Sequence, residues 1–254
     1  MREELKLPLR MVNKVGTHPT NVKSDEAAIP LSSTFLHRTV HDAGHDLRSP
    51  LFVIRGYTQL LQKTEDKGCL KRGIKLMEEA SFKMEKTING FVELMDIYTL
   101  PNQEIEPLSA EPIIDATILE LSPAESLQNA ITFRKNIIHT DIILFNKGYF
   151  TTIVKCLLEN AISHNSEQDQ LNIYIAFEKI DNDIVLTIQD DGQGIDPMAD
   201  KNKLKKPFFK YTENPDQVGL GLAKVEAIAK VTGNQFDLES VHGAGTLCQF
   251  IFRS

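Results

Sequence analysis

The chain has 254 residues, 41% apolar and 25% charged, an ordinary balance for a globular protein with room for one large or two small domains. Its 28 Lys and Arg against 35 Asp and Glu leave a net charge of −7, which argues against a surface that coats nucleic acid. No run approaches the roughly 18 apolar residues that cross a bilayer, no signal-peptide core opens the chain, and Cys69, Cys156 and Cys248 lack metal-ligand spacing, so a cytosolic compartment is expected.

Residues 1–30 mix Pro8, Gly16, Pro19 and Pro30 with charges and hold no period, which predicts a poorly ordered linker. Ser32 or Ser33 is placed to cap a helix that begins near Phe35. Leu36, Val40, Ala43, Leu47, Leu51, Ile54, Thr58 and Leu61 recur at three-four spacing and make one helical stripe. His45 lies roughly opposite Leu47 on that wheel and is expected to face solvent. After a turn over Thr64 to Gly68, a second helix carries Ile74, Met77, Ser81, Met84, Ile88, Phe91, Met95 and Tyr98 at heptad spacing. Two helices enclose little core, so the expected domain at 31–100 is a hairpin that pairs with a second copy into a dimeric four-helix bundle. Pro101 ends the second helix, and Pro107 and Pro112 are expected in the linker that follows.

The pattern changes over 101–254, the expected second domain. Helical stretches at about 110–121 and 147–165 alternate with strand-like runs at Ile131 to Ile137, Leu171 to Phe177, Ile184 to Gln189, Gln235 to Ser240 and Thr246 to Phe252. The predicted class is therefore α+β: a helical hairpin, then an α/β sandwich in which helices cover one face of a mixed sheet.

Four stretches carry chemistry. In His45-Asp46-Leu47-Arg48-Ser49-Pro50-Leu51 an imidazole, nucleophilic near neutral pH, stands beside a carboxylate that can take its proton or fix its tautomer. Arg48 adds a fixed positive fork where phosphate charge would arrive, and Pro50 removes an N–H one turn on and is expected to bend the helix. Leu157 to Ala161 puts the amide oxygen of Asn160, a hard-cation ligand, on a helix. Asp190-Asp191-Gly192-Gln193-Gly194 closes a strand with a carboxylate, and Gly192 and Gly194 let backbone approach a flat ligand. Val218-Gly219-Leu220-Gly221 opens a helix, whose unpaired N–H groups suit phosphate. Between the last two lies a lysine-rich stretch with Lys206, Pro207, Phe208, Phe209 and Lys210, the composition of a charged lid.

The first stretch resembles the phosphoacceptor box of sensor histidine kinases. The other three, followed by Gly243-Ala244-Gly245-Thr246, resemble the ATP-binding domain that those kinases share with gyrase-type topoisomerases, Hsp90-type chaperones and mismatch-repair ATPases. The resemblance implies that His45 accepts a phosphoryl group from ATP, with Asp46 as its activating base. It implies that Asn160 binds Mg²⁺, that Asp190, Gly192 and Gly194 hold adenine, that Gly219 and Gly221 contact the phosphates, and that Lys210, Leu220 and Thr246 also belong to the ATP site. Lys206, Phe208 and Phe209 then belong to the lid. The implied partners are a second copy of the chain, the receiver domain of a response regulator, and a separate sensor protein.

The match has gaps. Cys156 stands where these kinases often carry a second Asn and where water-splitting relatives carry a catalytic Glu; Glu159 points about 100° from Asn160 by helical geometry. Ser163 stands where a Lys or Arg is common, and Ser49 where phosphatase-competent members carry Thr or Asn. His41, also followed by an aspartate, competes with His45 as acceptor but lacks the Leu-Arg-Ser-Pro context. Two rival functions follow: a degenerate kinase that binds nucleotide and signals through its dimer, and a gyrase- or chaperone-type ATPase.

Overall fold

The computed structural model describes residues 32–64, 66–100, 104–121, 131–138, 142–163, 170–196, 200–211 and 217–253. The predicted linker at 1–30 lies outside them.

Helix α1 (Ser33–Leu61) starts where Ser32 Oγ accepts the Phe35 N–H at 3.1 Å. It continues through Pro50, which is buried within it. Helix α2 (Lys67–Thr99) begins inside the predicted turn, because the two carboxylate oxygens of Asp66 accept the N–H groups of Gly68 and Cys69, each at 3.1 Å. The two helices pack as a hairpin with Phe35 edge-on to Tyr98. The buried residues of α2 include Gly73, Ala80, Thr87 and Leu94 at heptad spacing, and alongside them Met77, Met84, Phe91 and Tyr98 of the predicted row are partly buried. Small side chains set that seam: a Cβ on Gly73 would lie 2.9 Å from Leu61 Cδ2. Ile74 and Ile88 stay exposed, as do Leu36, Val40 and Leu51 of the predicted α1 stripe.

Beyond the hairpin, β1 (Glu106–Ser109) pairs antiparallel with β3 (Ile142–Phe145) as a two-stranded ribbon. Neither strand stands out in the sequence, each being four residues long. Pro107 and Pro112 are not linker residues: Pro107 pairs with Leu144, and Pro112 sits in the first turn of α3 (Ala110–Leu121), where a missing N–H costs nothing. The main sheet runs in the order β2 (Ile131–Ile138), β4 (Leu171–Ile180), β5 (Asp183–Asp190), β7 (Gly245–Phe252), β6 (Gln235–Val241). Only the β2–β4 pair is parallel, so the sheet is mixed as expected.

Period-two burial along β4 turns Leu171, Ile173, Ile175 and Phe177 to one face, and the register aligns Ile175 with Ile188 and Cys248. Helices α4 (Lys147–Ser163) and α6 (Gly221–Val231) meet that face through Phe150, Ile153, Leu157, Val225 and Ile228, all fully buried. Phe145, Phe150, Phe177, Phe250 and Phe252 form a linked aromatic cluster with centroids 4.9–6.2 Å apart. Leu94 and Ile97 of α2 join the same core, so the end of the hairpin is anchored in the sandwich. A one-turn helix, α5 (Lys201–Leu204), precedes the lid residues.

Candidate active site

A cavity of about 360 Å³ opens between α4, the end of β5, the lid and the start of α6, and α2 of the hairpin forms one wall through Lys86 and Gly90. Its size lies in the range of small-ligand pockets. Of the residues the sequence points to, Asn160, Asp190, Gly194, Phe209, Lys210, Gly219, Leu220, Gly221 and Thr246 line it. Gly192, Lys206 and Phe208 do not. Gly192 instead donates its N–H to Asp190 Oδ1 at 3.0 Å, Lys206 is exposed, and Phe208 packs against Phe91 of α2 with centroids 6.4 Å apart.

The two adjacent aspartates divide their work. Asp190 is buried at the strand end, and its Oδ1 also faces the Thr246 N–H at 3.3 Å, which fixes the carboxylate at the cavity wall. Asp191 turns the other way and clamps Asn172, accepting its backbone N–H at 2.8 Å and its side-chain amide at 2.7 Å. Two glycines make the wall possible. A Cβ on Gly194 would lie 2.1 Å from the Val241 carbonyl oxygen, and one on Gly245 would lie 1.9 Å from that of Asp190, with both residues at positive φ. Ser240 ties the turn together, its hydroxyl accepting the Ile195 N–H at 2.9 Å and donating to the Gly245 carbonyl at 3.0 Å.

On α4, Cys156, Glu159, Asn160 and Ser163 all reach the cavity. Glu159 does so despite its offset from Asn160 on the helical wheel, because the cavity wraps more than one face of the helix. Burial pushes the Cys156 thiol up to about 11, so it is neutral at physiological pH. Ser163 accepts a hydrogen bond from the Gln217 amide at 2.7 Å.

The arms of the lid are tied at its base. The Phe208 N–H donates to the Gly219 carbonyl at 2.8 Å, and a Cβ on Gly219 would lie 2.6 Å from the Phe209 carbonyl oxygen. Lys205 anchors the near side, 4.6 Å from the centre of the Phe236 ring and 3.1 Å from Glu226.

On the hairpin, His45 is 75% exposed, as its place on the wheel requires, and its Nδ1 lies 3.7 Å from Asp46 Oδ1. Asp46 is more covered and pairs with Lys210 of the lid. The residue beside His45 thus contacts a residue of the cavity wall. A second bridge joins Lys224 of α6 to Glu93 of α2 at 2.7 Å, and a Cβ on Gly90 would meet Leu220 at 2.9 Å. Arg48 is exposed and does not line the cavity. His41 is equally exposed and pairs with its own neighbour, Asp42, at 3.4 Å. Sequence reasoning missed Lys86, Gln217 and Lys224, which the docking of hairpin on sandwich and the closure of the turn bring to the cavity, and Glu93, which pairs with Lys224.

The residues present fit magnesium nucleotide. Asn160 and Glu159 offer hard oxygen ligands, the glycine turn offers N–H groups, and Asp190 is fixed at the far wall.

Comparison with known proteins agrees. Residues 36–97 match the family described as His Kinase A (phospho-acceptor) domain, and residues 147–254 match Histidine kinase-, DNA gyrase B-, and HSP90-like ATPase. The phosphate regulon sensor protein PhoR of Haemophilus influenzae is 28% identical over 213 residues, which cover 82% of this chain and 49% of PhoR. Sensor histidine kinase CssS of Bacillus subtilis is 29% identical over 73% of this chain and 40% of its own length. The chain therefore spans about half or less of these relatives. The fold is that of histidine kinase ThkA, solved in complex with a response regulator protein, with a TM-score of 0.67 at 17% identity over 86% of this chain and 62% of ThkA. It is also that of the Acinetobacter baumannii histidine kinase AdeS, with a TM-score of 0.63 at 18% identity over 82% and 97% of the two chains. A phosphoacceptor hairpin and a gyrase- and HSP90-like ATPase segment, in that order and on that fold, place the chain among the sensor histidine kinases.

Proposed function

We propose that the chain is an ATP-dependent protein-histidine kinase that phosphorylates itself on His45 and passes the phosphoryl group to an aspartate of a response-regulator receiver domain. One observation carries the reading: Lys210 lines the nucleotide cavity and pairs with Asp46, the neighbour of His45. A single side chain separates the acceptor box from the cavity.

In this reading Asp190 and Thr246 orient the adenine, and the N–H groups around Gly219 and Gly221 take the phosphates. Asn160 holds Mg²⁺, with Glu159 at hand. Magnesium ATP, when bound, supplies the phosphoryl group and the charge neutralisation on which such transfers depend. His45 attacks through a ring nitrogen, and Asp46 accepts or steers the proton from the other. His45 and Asp46 reach that geometry once Lys210 turns from the aspartate to the phosphates. The exposed Leu36, Val40, Ile74 and Ile88 support a homodimer, which buries them against a second hairpin. Among the described residues no helix is long and apolar enough to cross a membrane.

The test is label transfer from γ-labelled ATP with Mg²⁺ to the native chain and to His45→Gln. Acid-labile, base-stable label that vanishes in the variant is expected; label that persists would move the acceptor, with His41 next. A second reading, a nucleotide-binding module without transfer, is favoured by the neutral Cys156 and by Ser163 held by Gln217. Measurable ATP binding with no label at all would select it.

A further inference from the structure

Lys86, Lys210 and Lys224 are the cationic side chains that line the cavity among the described residues. Lys224 is more enclosed than Lys210, its side chain 14% exposed against 25%, and Lys86 is exposed. Lys224 stands in the first turn of α6, just past Gly221, and interacts electrostatically with Glu159 on α4. That is the end of the cavity where the glycine turn meets the face of Asn160. The other groups there bring no positive charge: the Cys156 thiol is neutral, and Ser163 is occupied by the Gln217 amide. Polyphosphate at this end would bring several negative charges onto helix N–H groups that carry only a partial positive one.

Lys224 now spends its charge on Glu93 of α2, 2.7 Å away. The two partners are unequal. Glu93 is 60% exposed and its carboxylate can swing into water, whereas Lys224 is held between α4 and α6. An anion arriving in the cavity therefore displaces the glutamate and keeps the lysine. Burial alone would lower the lysine's pKa, but its hydrogen bond to Glu93 and the carboxylate charges of Glu93 and Glu159 act the other way, and the net direction is upward.

We propose that Lys224 is a polyphosphate-binding cation of this chain and that Glu93 is the counter-anion it gives up, so nucleotide phosphates and the hairpin compete for one charge. The inference rests on the nucleotide-binding reading above.

The experiment is calorimetric titration of the native chain, Lys224→Met and Glu93→Gln with ATP and with adenosine, both in Mg²⁺. Loss of a charge-assisted contact is expected to weaken ATP about tenfold in Lys224→Met while adenosine changes less than twofold. Glu93→Gln is expected to tighten ATP several-fold and leave adenosine unchanged. If the pair is only a strut between helices, Lys224→Met will shift both ligands alike and Glu93→Gln will leave ATP unchanged, which overturns the inference alone. A native chain that binds neither ligand overturns the nucleotide reading, and this inference with it.

Discussion

Gly245→Ala tests whether the cavity wall depends on close backbone approach, and Gly243→Ala provides its control two residues away. Both glycines have positive φ, 77° at Gly243 and 100° at Gly245. Each substitution therefore carries the left-handed penalty, about 1 kcal/mol. They differ in what a Cβ meets. At Gly243 nothing lies within 4 Å, whereas at Gly245 the Asp190 carbonyl oxygen lies 1.9 Å away and must retreat to about 3.4 Å before the contact is ordinary. That retreat opens the β5–β7 pairing at Asp190 and Thr246 and pulls the Asp190 carboxylate from the Thr246 N–H. The lost pairing adds about 2 kcal/mol. Thermal unfolding followed by circular dichroism is expected to fall about 2–4 °C for Gly243→Ala and about 6–12 °C for Gly245→Ala. Adenosine affinity should drop only in the latter, since only there does Asp190 move. Equal melting shifts with unchanged adenosine affinity would refute the close-approach argument.

The neighbouring aspartates should separate in the same assays: Asp190→Asn removes nucleotide binding at small cost in stability, and Asp191→Asn does the reverse, at about 1–3 kcal/mol, because it breaks the clamp on Asn172. Calorimetric binding and denaturant midpoints on both variants decide it, and a reversal would exchange their roles. Leu94→Ala, at a fully buried site joining α2 to the sandwich core, should cost about 2–5 kcal/mol in denaturant unfolding, and a loss under 1 kcal/mol would mean the joint is loose. Burial raises the folded thiols of Cys156 and Cys248 to about 11 and about 12, above their unfolded values. The folded chain therefore binds more protons than the unfolded one at alkaline pH. The stability this represents is intact below about pH 8.5, the free-thiol value, and is lost as pH rises through the folded values. Denaturant midpoints should fall from pH 8 to pH 10.5, and a midpoint that held or rose would contradict the burial of both thiols.

Long elements and local motifs were legible because one physical signal dominates each. Period-two burial announces β4, the helix α3 occupies the expected 110–121, and His45 faces solvent because the wheel leaves it no alternative. The ribbon of β1 and β3 was not legible, since four-residue strands carry too little pattern and Pro107 reads as a break. On α2 the apolar heptad row was legible, but the small residues of the neighbouring row, Gly73 and Ala80, were not, because a close approach of α1 leaves no apolar signal in the sequence. Around the cavity, what the sequence did not show is which side chains pair across the docked elements. Glu93 and Lys224 lie 131 positions apart, and Asp46 and Lys210 lie 164 apart, so no local pattern couples them.

Those two bridges explain why the imperfect nucleotide motif need not mean weak phosphate binding. The sequence departs from the family pattern on α4, with Cys156 in place of an amide and Ser163 in place of a cation. The structure lines the cavity with lysines from other elements, among them Lys210 and Lys224. Both are neutralised by carboxylates of the hairpin, Asp46 and Glu93. On the kinase reading the first pair bears directly on chemistry. Asp46 cannot hold Lys210 and also serve fully as the base for His45, whose Nδ1 is 3.7 Å from it and outside hydrogen-bond range. The charge that polyphosphate would draw from Asp46 is the same charge whose departure readies that carboxylate. On that reading, nucleotide binding and activation of the acceptor share one lysine.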